Sequence, residues 1–199
     1  DPLPAVSPNA VTLSWHLPWC YTNSVAGFTL TALTTSGEPA TWLDDFSASK
    51  GVSSTQEFKA GTFSGIGNET PCLRFRREYS GSYVFTNRVL LTSRSVLTYR
   101  LRSQYADRMM LEIQMQGEDG AWETLEKPGL NTANTDSGWA LRRVYLGGRG
   151  GAVARFQLVL SYVTDGWTTD DSAHPEWGVF LDDFQVTDAV PFTVAKTES

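Results

Sequence analysis

The stretch MMLEIQMQGEDGAWETLEK, residues 109–127, decides the fold class. Its first eight residues alternate apolar and polar from Leu111 onward, the period-two pattern of a half-buried strand. The segment EDG (118–120) then supplies turn chemistry, and AWETLEK (121–127) resumes as a second strand. The stretch therefore predicts a β-hairpin. Met109, Met110 and Met115 read as core residues of its first strand.

Working outward, the same pattern recurs along most of the chain. Strands are expected at 10–15, 27–33, 72–78, 82–91, 95–104, 109–116, 121–127, 139–146, 152–163 and 178–186, cut by Gly, Asn, Asp and Ser. No window holds helical periodicity over three turns, and only SGWALRRVYLGG (137–148) is ambiguous. About ten strands without helices imply an all-β protein, a jelly-roll β-sandwich of two antiparallel sheets. Long loops at 34–71, 128–138 and 164–177 are where such a scaffold carries function. The organisation expected is a linker or N-terminal strand over 1–16, a sandwich over 17–188 and a tail over 189–199. The segment SPNAVTLSWHLP (7–18) either joins the sandwich or is the remnant of a preceding module.

Composition narrows the function classes. The 199 residues suit one all-β domain, and 41% hydrophobic with 12% aromatic content suits a folded globule. A net charge of −6 and the absence of any basic run argue against nucleic acid as a partner. No apolar run reaches the ~18 residues of a transmembrane helix, so no membrane insertion is expected. The two cysteines, Cys20 and Cys72, are either a disulfide or two separate thiols, and with two histidines a zinc site is poorly supplied.

Two stretches raise questions of chemistry. WGVFLDDFQV (177–186) sets adjacent carboxylates in an apolar strand. Strict alternation puts Asp182 on the face of Phe180, Phe184 and Val186, and Asp183 with Val179, Leu181 and Gln185. At least one carboxylate then enters apolar surroundings and needs a cation, a basic side chain or backbone N–H donors. WLDDF (42–46) is a similar stretch, and the first and last strands of a jelly roll often pair. One reading is structural Ca2+ held by Asp45, Asp182 and Asp183 with carbonyls and water. The other is a buried aspartate held by backbone N–H groups or an arginine such as Arg74, Arg100 or Arg155.

The second stretch, TDGWTTDDSAHPEW (164–177), gathers Trp167, Asp170, Asp171, His174 and Trp177 as candidate ligand-binding residues. Carboxylates hydrogen-bond sugar hydroxyls, and tryptophan faces stack on pyranose rings. The alternative is a solvated acidic loop with its tryptophans folded back onto the sandwich. Trp122, after the hairpin turn, and Trp139 are either packing residues or parts of a binding platform. Catalysis finds no linear support: there is no G-x-S-x-G elbow, H-E-x-x-H or P-loop, and no motif singles out a carboxylate pair. GGRGG (147–151) precedes a strand and reads as a connection rather than a phosphate cradle. NET (68–70) matches an N-glycosylation sequon.

Three blocks together resemble a known family. LPWCYTNSVAGFTLTALTTSGEPATW (17–42), SYVFTNRVLLTSRSVLTYRLRSQ (82–104) and GVFLDDFQV (178–186) resemble, in order and spacing, MAM-like jelly-roll modules of the cleaved-adhesin or choice-of-anchor-J type, which implies a sandwich of galactose-binding or MAM-like type. The resemblance implies a non-catalytic, secreted or cell-surface module of a large bacterial protein, with calcium in some relatives and roles in adhesion or beside glycan-active enzymes in others. One departure is that TALTTSGEP (31–39) carries only Glu38 where relatives have an acidic loop. The expected function is binding of a glycan or another surface component, within a parent protein whose neighbouring domains are further partners. A structural spacer or protein-docking domain, and a polysaccharide-active enzyme on a jelly roll, are the alternatives.

Overall fold

The structure is a computed structural model that describes residues 6–7, 10–11, 30–35, 39–47, 51–54, 58–68, 70–77, 79–117, 120–163 and 173–198, with side chains described between 39 and 190. The chain divides into a small unit, residues 1–32 with 194–199, and a large unit, residues 33–193. In the small unit β1 (Val6–Ser7) and β2 (Ala10–Val11) pair antiparallel. β3 (Leu30–Thr35) follows in chain order.

The large unit is an antiparallel β-sandwich. Its strands are β4 (Ala40–Asp44), β5 (Gly51–Ser53), β6 (Phe58–Gly61), β7 (Cys72–Phe75), β8 (Gly81–Phe85), β9 (Arg88–Gln104), β10 (Met109–Gln116), β11 (Trp122–Glu126), β12 (Ala140–Tyr145), β13 (Val153–Tyr162) and β14 (Gly178–Glu198). The first sheet runs β12-β9-β14-β7-β6, with β4 also on β14. The second runs β11-β10-β13-β8-β5. From β7 onward, consecutive strands alternate between the orders 7-14-9-12 and 8-13-10-11, except that the hairpin strands β10 and β11 both lie in the second. That interleaving is the jelly roll: eight strands wound as two Greek keys.

The hairpin expected at 109–127 is present as β10 and β11. In β10 the odd residues Met109, Leu111, Ile113 and Met115 are buried while the even ones face outward. Met110 is therefore exposed, not core, because it holds an even position. The strands expected at 82–91 and 95–104 are divided differently. β8 ends at Phe85, and Arg88–Gln104 form one continuous strand. The expected loop 34–71 carries three short strands, β4 to β6, and β14 continues to Glu198 through the expected tail.

Strict alternation fails in β14. Val179 and Leu181 face the main core, yet so do Phe184, Val186 and Ala189. Asp182 pairs with Arg100 and Gln185 with Thr98, so three steps on β14 match two on β9. The extra residue, Asp183, sits at φ 49°; Asp188, at φ 50°, repeats the device against β4, where Val186 pairs with Trp42 and Ala189 with Ala40. Aspartate is among the few side chains that visit this left-handed region readily. Each bulge inverts which residues point inward. Asp182 thus shares a face with Phe180, which packs with Ile66 and Cys72 in a second cluster, and not with Phe184 or Val186. At the head of β14, Gly178 adopts φ 111°, and a Cβ there would stand 2.6 Å from the Phe75 carbonyl oxygen.

Candidate functional site

The outward face of the second sheet is built from the polar positions of five strands. Thr124, Gln114, Gln157, Val84 and Val52 lie in one register row across β11, β10, β13, β8 and β5. Trp122, Gln116 and Arg155 form the next row, and Glu112, Val159 and Ser82 the row on the other side. The side chains in such rows are neighbours on one face. They hold each other in fixed orientations. The Lys127 ammonium lies 2.7 Å from Glu112 Oε1. Gln114 Nε2 and Thr124 Oγ1 donate to Glu112 Oε2 at 2.7 and 2.9 Å. Gln157 Nε2 donates to Gln114 Oε1 at 2.6 Å. Arg155 Nε donates to the Phe85 carbonyl at 2.8 Å, and Gln116 Nε2 to that of Gly120 at 2.8 Å. The hydrogen bonds from Lys127, Gln114 and Thr124 pull the Glu112 carboxyl down to about 2.

Between β5 and β11 this face forms a groove of about 420 Å³, lined by Val52, Ser53, Ser54, Ser82, Val84, Gln116, Trp122, Arg155 and Gln157. The lining offers amides, hydroxyls and a guanidinium, one half-buried indole and two valines. Among the described residues the lining contains no Asp, Glu, His or Cys. The arrangement can accept and donate hydrogen bonds and can pack against an apolar ring face. The described lining residues do not include the two opposed carboxylates of glycoside hydrolysis.

Of the expected loop residues, His174 and Trp177 are described. Trp167, Asp170 and Asp171 lie outside the described residues. Trp177 is only 9% exposed. His174 stacks on it at 3.7 Å and 5°, Tyr105 meets it edge-on at 4.7 Å, and its Nε1 donates to Asn134 Oδ1 at 2.9 Å. Its ring is occupied by the protein itself, leaving no open face for a sugar. His174 Nδ1 lies 3.0 Å from Glu176 Oε1, and Arg74 donates to the carbonyls of His174 and Trp177. Beside this pile Arg102, buried to 1% exposure, donates Nε to Asp136 Oδ1 at 2.8 Å. Its Nη atoms reach Glu176 O, Gly65 O and Gln104 Oε1 at 3.1, 3.4 and 2.8 Å. Three connections are thereby tied to one guanidinium. Trp139 donates its Nε1 to the Ile66 carbonyl and lies under Arg100.

The paired aspartates resolve into unlike roles. β4 and β14 do pair, Asp44 opposite Phe184. Asp182, 2% exposed, accepts the Asp183 N–H on Oδ1 at 2.8 Å and Asn68 Nδ2 on Oδ2 at 2.8 Å. Thr70 Oγ1 adds a longer contact at 3.4 Å. Asp183 is half-exposed and 3.8 Å from Arg100, and its carboxyl is pushed up by burial first and then by Asp182, with Asp45 adding to it. Asp45 accepts the N–H and Oγ of Ser47. Among the described residues no three His, Cys, Asp or Glu side chains are grouped to hold a metal. Protein donors already engage both Asp182 oxygens. Cys72 is a free, buried thiol, pushed up to about 12 by burial and then by Asp182, and Cys20 lies outside the described residues.

Asn68 and Thr70 of the NET triplet are thus structural anchors of Asp182. Replacing Asn68→Ala removes its main side-chain donor and is expected to cost about 1–3 kcal/mol of unfolding free energy. Urea titration checks this; a change below about 0.5 kcal/mol would show that water replaces the amide without penalty.

No family model matches this chain, and no curated protein does. Solved structures similar to it include the C-terminal CBM6 of a laminarinase, LamC, from Zobellia galactanivorans, at 10% identity over 80% of this chain and 99% of that one, TM-score 0.43. Another is the carbohydrate-binding module CBM6cm-2 of Cellvibrio mixtus lichenase 5A in complex with cellotriose, at 13% identity over 76% and 98%, TM-score 0.43. A third is the C-terminal family 22 module of Clostridium thermocellum Xyn10B, at 9% identity over 79% and 97%, TM-score 0.42. At these scores no residue of theirs is matched to one of this chain.

Proposed function

We propose that the chain is a non-catalytic glycan-binding module of a secreted or surface-displayed multidomain protein. Its ligand lies along the groove on the outward face of the second sheet. The observation that carries this reading is the lining itself: neutral planar amides, an arginine and hydroxyls held in register, with Trp122 at one end. Sugar hydroxyls need such fixed donors and acceptors, and the indole offers a face to the C–H side of a pyranose. An open groove suits a chain segment rather than a single small molecule. The loop 164–177, which carries Trp167, Asp170 and Asp171, is not required by this reading.

The test is retention of the purified chain by soluble and immobilised polysaccharides, for the parent protein and for Trp122→Ala. Retention by at least one polysaccharide is expected, weakened by roughly tenfold or more in the variant, as for loss of a central aromatic contact. Retention undiminished in Trp122→Ala would move the site elsewhere. Silence across a broad panel would favour a spacer or protein-docking role.

A further inference from the structure

A second pocket lies at the open edge of the sandwich, between β12 and the connection 129–138. It measures about 180 Å³ and is lined chiefly by Leu101, Ser103, Gly129, Asn131, Ser137 and Arg142. It shares no residue with the groove of the second sheet.

Its distinctive group is Arg142. This residue pairs in register with Tyr99, whose side chain is in the core, so Arg142 points to the inner side of an edge strand. Among the described residues the guanidinium has no hydrogen bond and no ion pair, and its Nε is sealed from solvent without an acceptor. The nearby Glu126 is engaged by the Tyr99 hydroxyl at 2.6 Å. The residue is half-buried, and a sealed N–H donor such as its Nε is costly unless an acceptor answers it. The rest of the wall is knitted by its own hydrogen bonds: Asn131 N–H to Ser103 Oγ at 2.8 Å and Ser137 Oγ to Ser103 O at 2.8 Å. The wall is thus preformed, and the open valence is the guanidinium. Its planar fork matches a carboxylate. With a net charge of −6, the protein as a whole does not attract anions, so any preference must come from this residue.

We propose that this pocket is a separate ligand site for a small hydroxylated carboxylate, of the size of one uronic-acid unit, with Arg142 as the carboxylate's partner. Its volume is below the ~300–1,000 Å³ of pockets for drug-sized ligands, which suits a single ring. The proposal does not depend on the groove's ligand.

The experiment is titration of the full chain with sodium glucuronate, methyl glucoside and sodium sulfate, followed by calorimetry and by NMR of the arginine Nε–H groups. Glucuronate should bind and shift the Arg142 signal, while the neutral glucoside should not bind. Arg142→Gln should weaken glucuronate binding roughly ten- to a hundredfold, the loss of a charge-assisted contact. Gly129→Leu should also weaken it. A Cβ at Gly129 meets nothing within 4 Å, so the substitution fits the fold and crowds the mouth. Trp122→Ala should leave it unchanged, which separates this site from the groove. Equal binding of the glucoside, full binding by Arg142→Gln with an unaltered melting temperature, or no binding by the parent chain would each overturn the proposal. Equal binding of sulfate would overturn its carboxylate preference.

Discussion

Arg102→Met is expected to lower the unfolding free energy by about 3–5 kcal/mol, the range found when one member of a buried charged network is removed. Methionine keeps much of the stem's volume, so the loss reports on the guanidinium rather than on a cavity. Four acceptors lose their donor: Asp136 Oδ1, Gln104 Oε1 and the carbonyls of Glu176 and Gly65. They suffer unequally. Asp136 is 55% exposed and can turn to water, whereas Gln104 is buried and cannot. Most of the cost therefore falls on Gln104 and on the connections that Arg102 draws together. Urea unfolding with an unchanged m-value is the measurement, and a loss under about 1 kcal/mol would mean that the three connections hold without their tie. A pH signature accompanies it. The Asp136 carboxyl lies below its ordinary value because of the Gly138 N–H and, next among the favourable contacts, Arg102. A carboxyl lowered on folding adds stability above its unfolded pKa of about 3.9 and loses it as pH falls through the folded one. The variant should therefore show a weaker acid-side decline than the parent.

Phe184→Ala should cost a comparable amount, about 3–5 kcal/mol, as is usual for a large aromatic removed from a packed core. Phe184 is fully buried. It stacks on Phe85 at 4.3 Å and 18°, and Trp42, Phe156 and Tyr99 surround it at 6.0, 5.9 and 6.2 Å. These rings come from both sheets, so the cavity would open between the layers, where neither sheet can close on it. Offset and edge-on ring pairs add to the transfer term. Tyr145→Ala, at a residue 75% exposed, should change stability by less than about 0.5 kcal/mol. If the two variants melted alike, Phe184 would not be the centre of the core.

The fold was legible where side chains alternate without interruption. β10 and β13 show their inner and outer faces directly in the letters, and the hairpin turn could be placed from Gly and Asp. β14 was legible as a strand but not in its facing. An alternation rule counts residues, and Asp183 and Asp188 are each one residue too many. Their positive φ goes with pairing to β9 at Asp183 and to β4 at Asp188, which no local pattern reveals. The groove does have a signal in the letters: Gln114, Gln116, Arg155 and Gln157 put long planar polar groups on one face. The tryptophans and acids of 164–177 are the louder signal, yet Trp177 is packed by His174 and Tyr105. Arg102 and Arg142 could not be told apart in sequence from the other arginines, because burial and missing partners are properties of tertiary contact.

The two aspartate bulges also bear on how this chain can change over time. Before Asp183, β14 sends alternate residues to the main core and to the cluster of Ile66 and Cys72; after it, the parity is reversed. The longest strand is in effect written in two alternating reading frames, with one spacer residue at each change of frame. A point substitution within either half is a local event, but loss or gain of one residue near 183 would be a frameshift in three dimensions, exchanging inside for outside along every position up to the next bulge. A compensating indel at Asp188 would confine that damage to the span between them. Relatives of this protein should therefore vary freely in the letters of β14 while keeping the number of residues between its two phase markers.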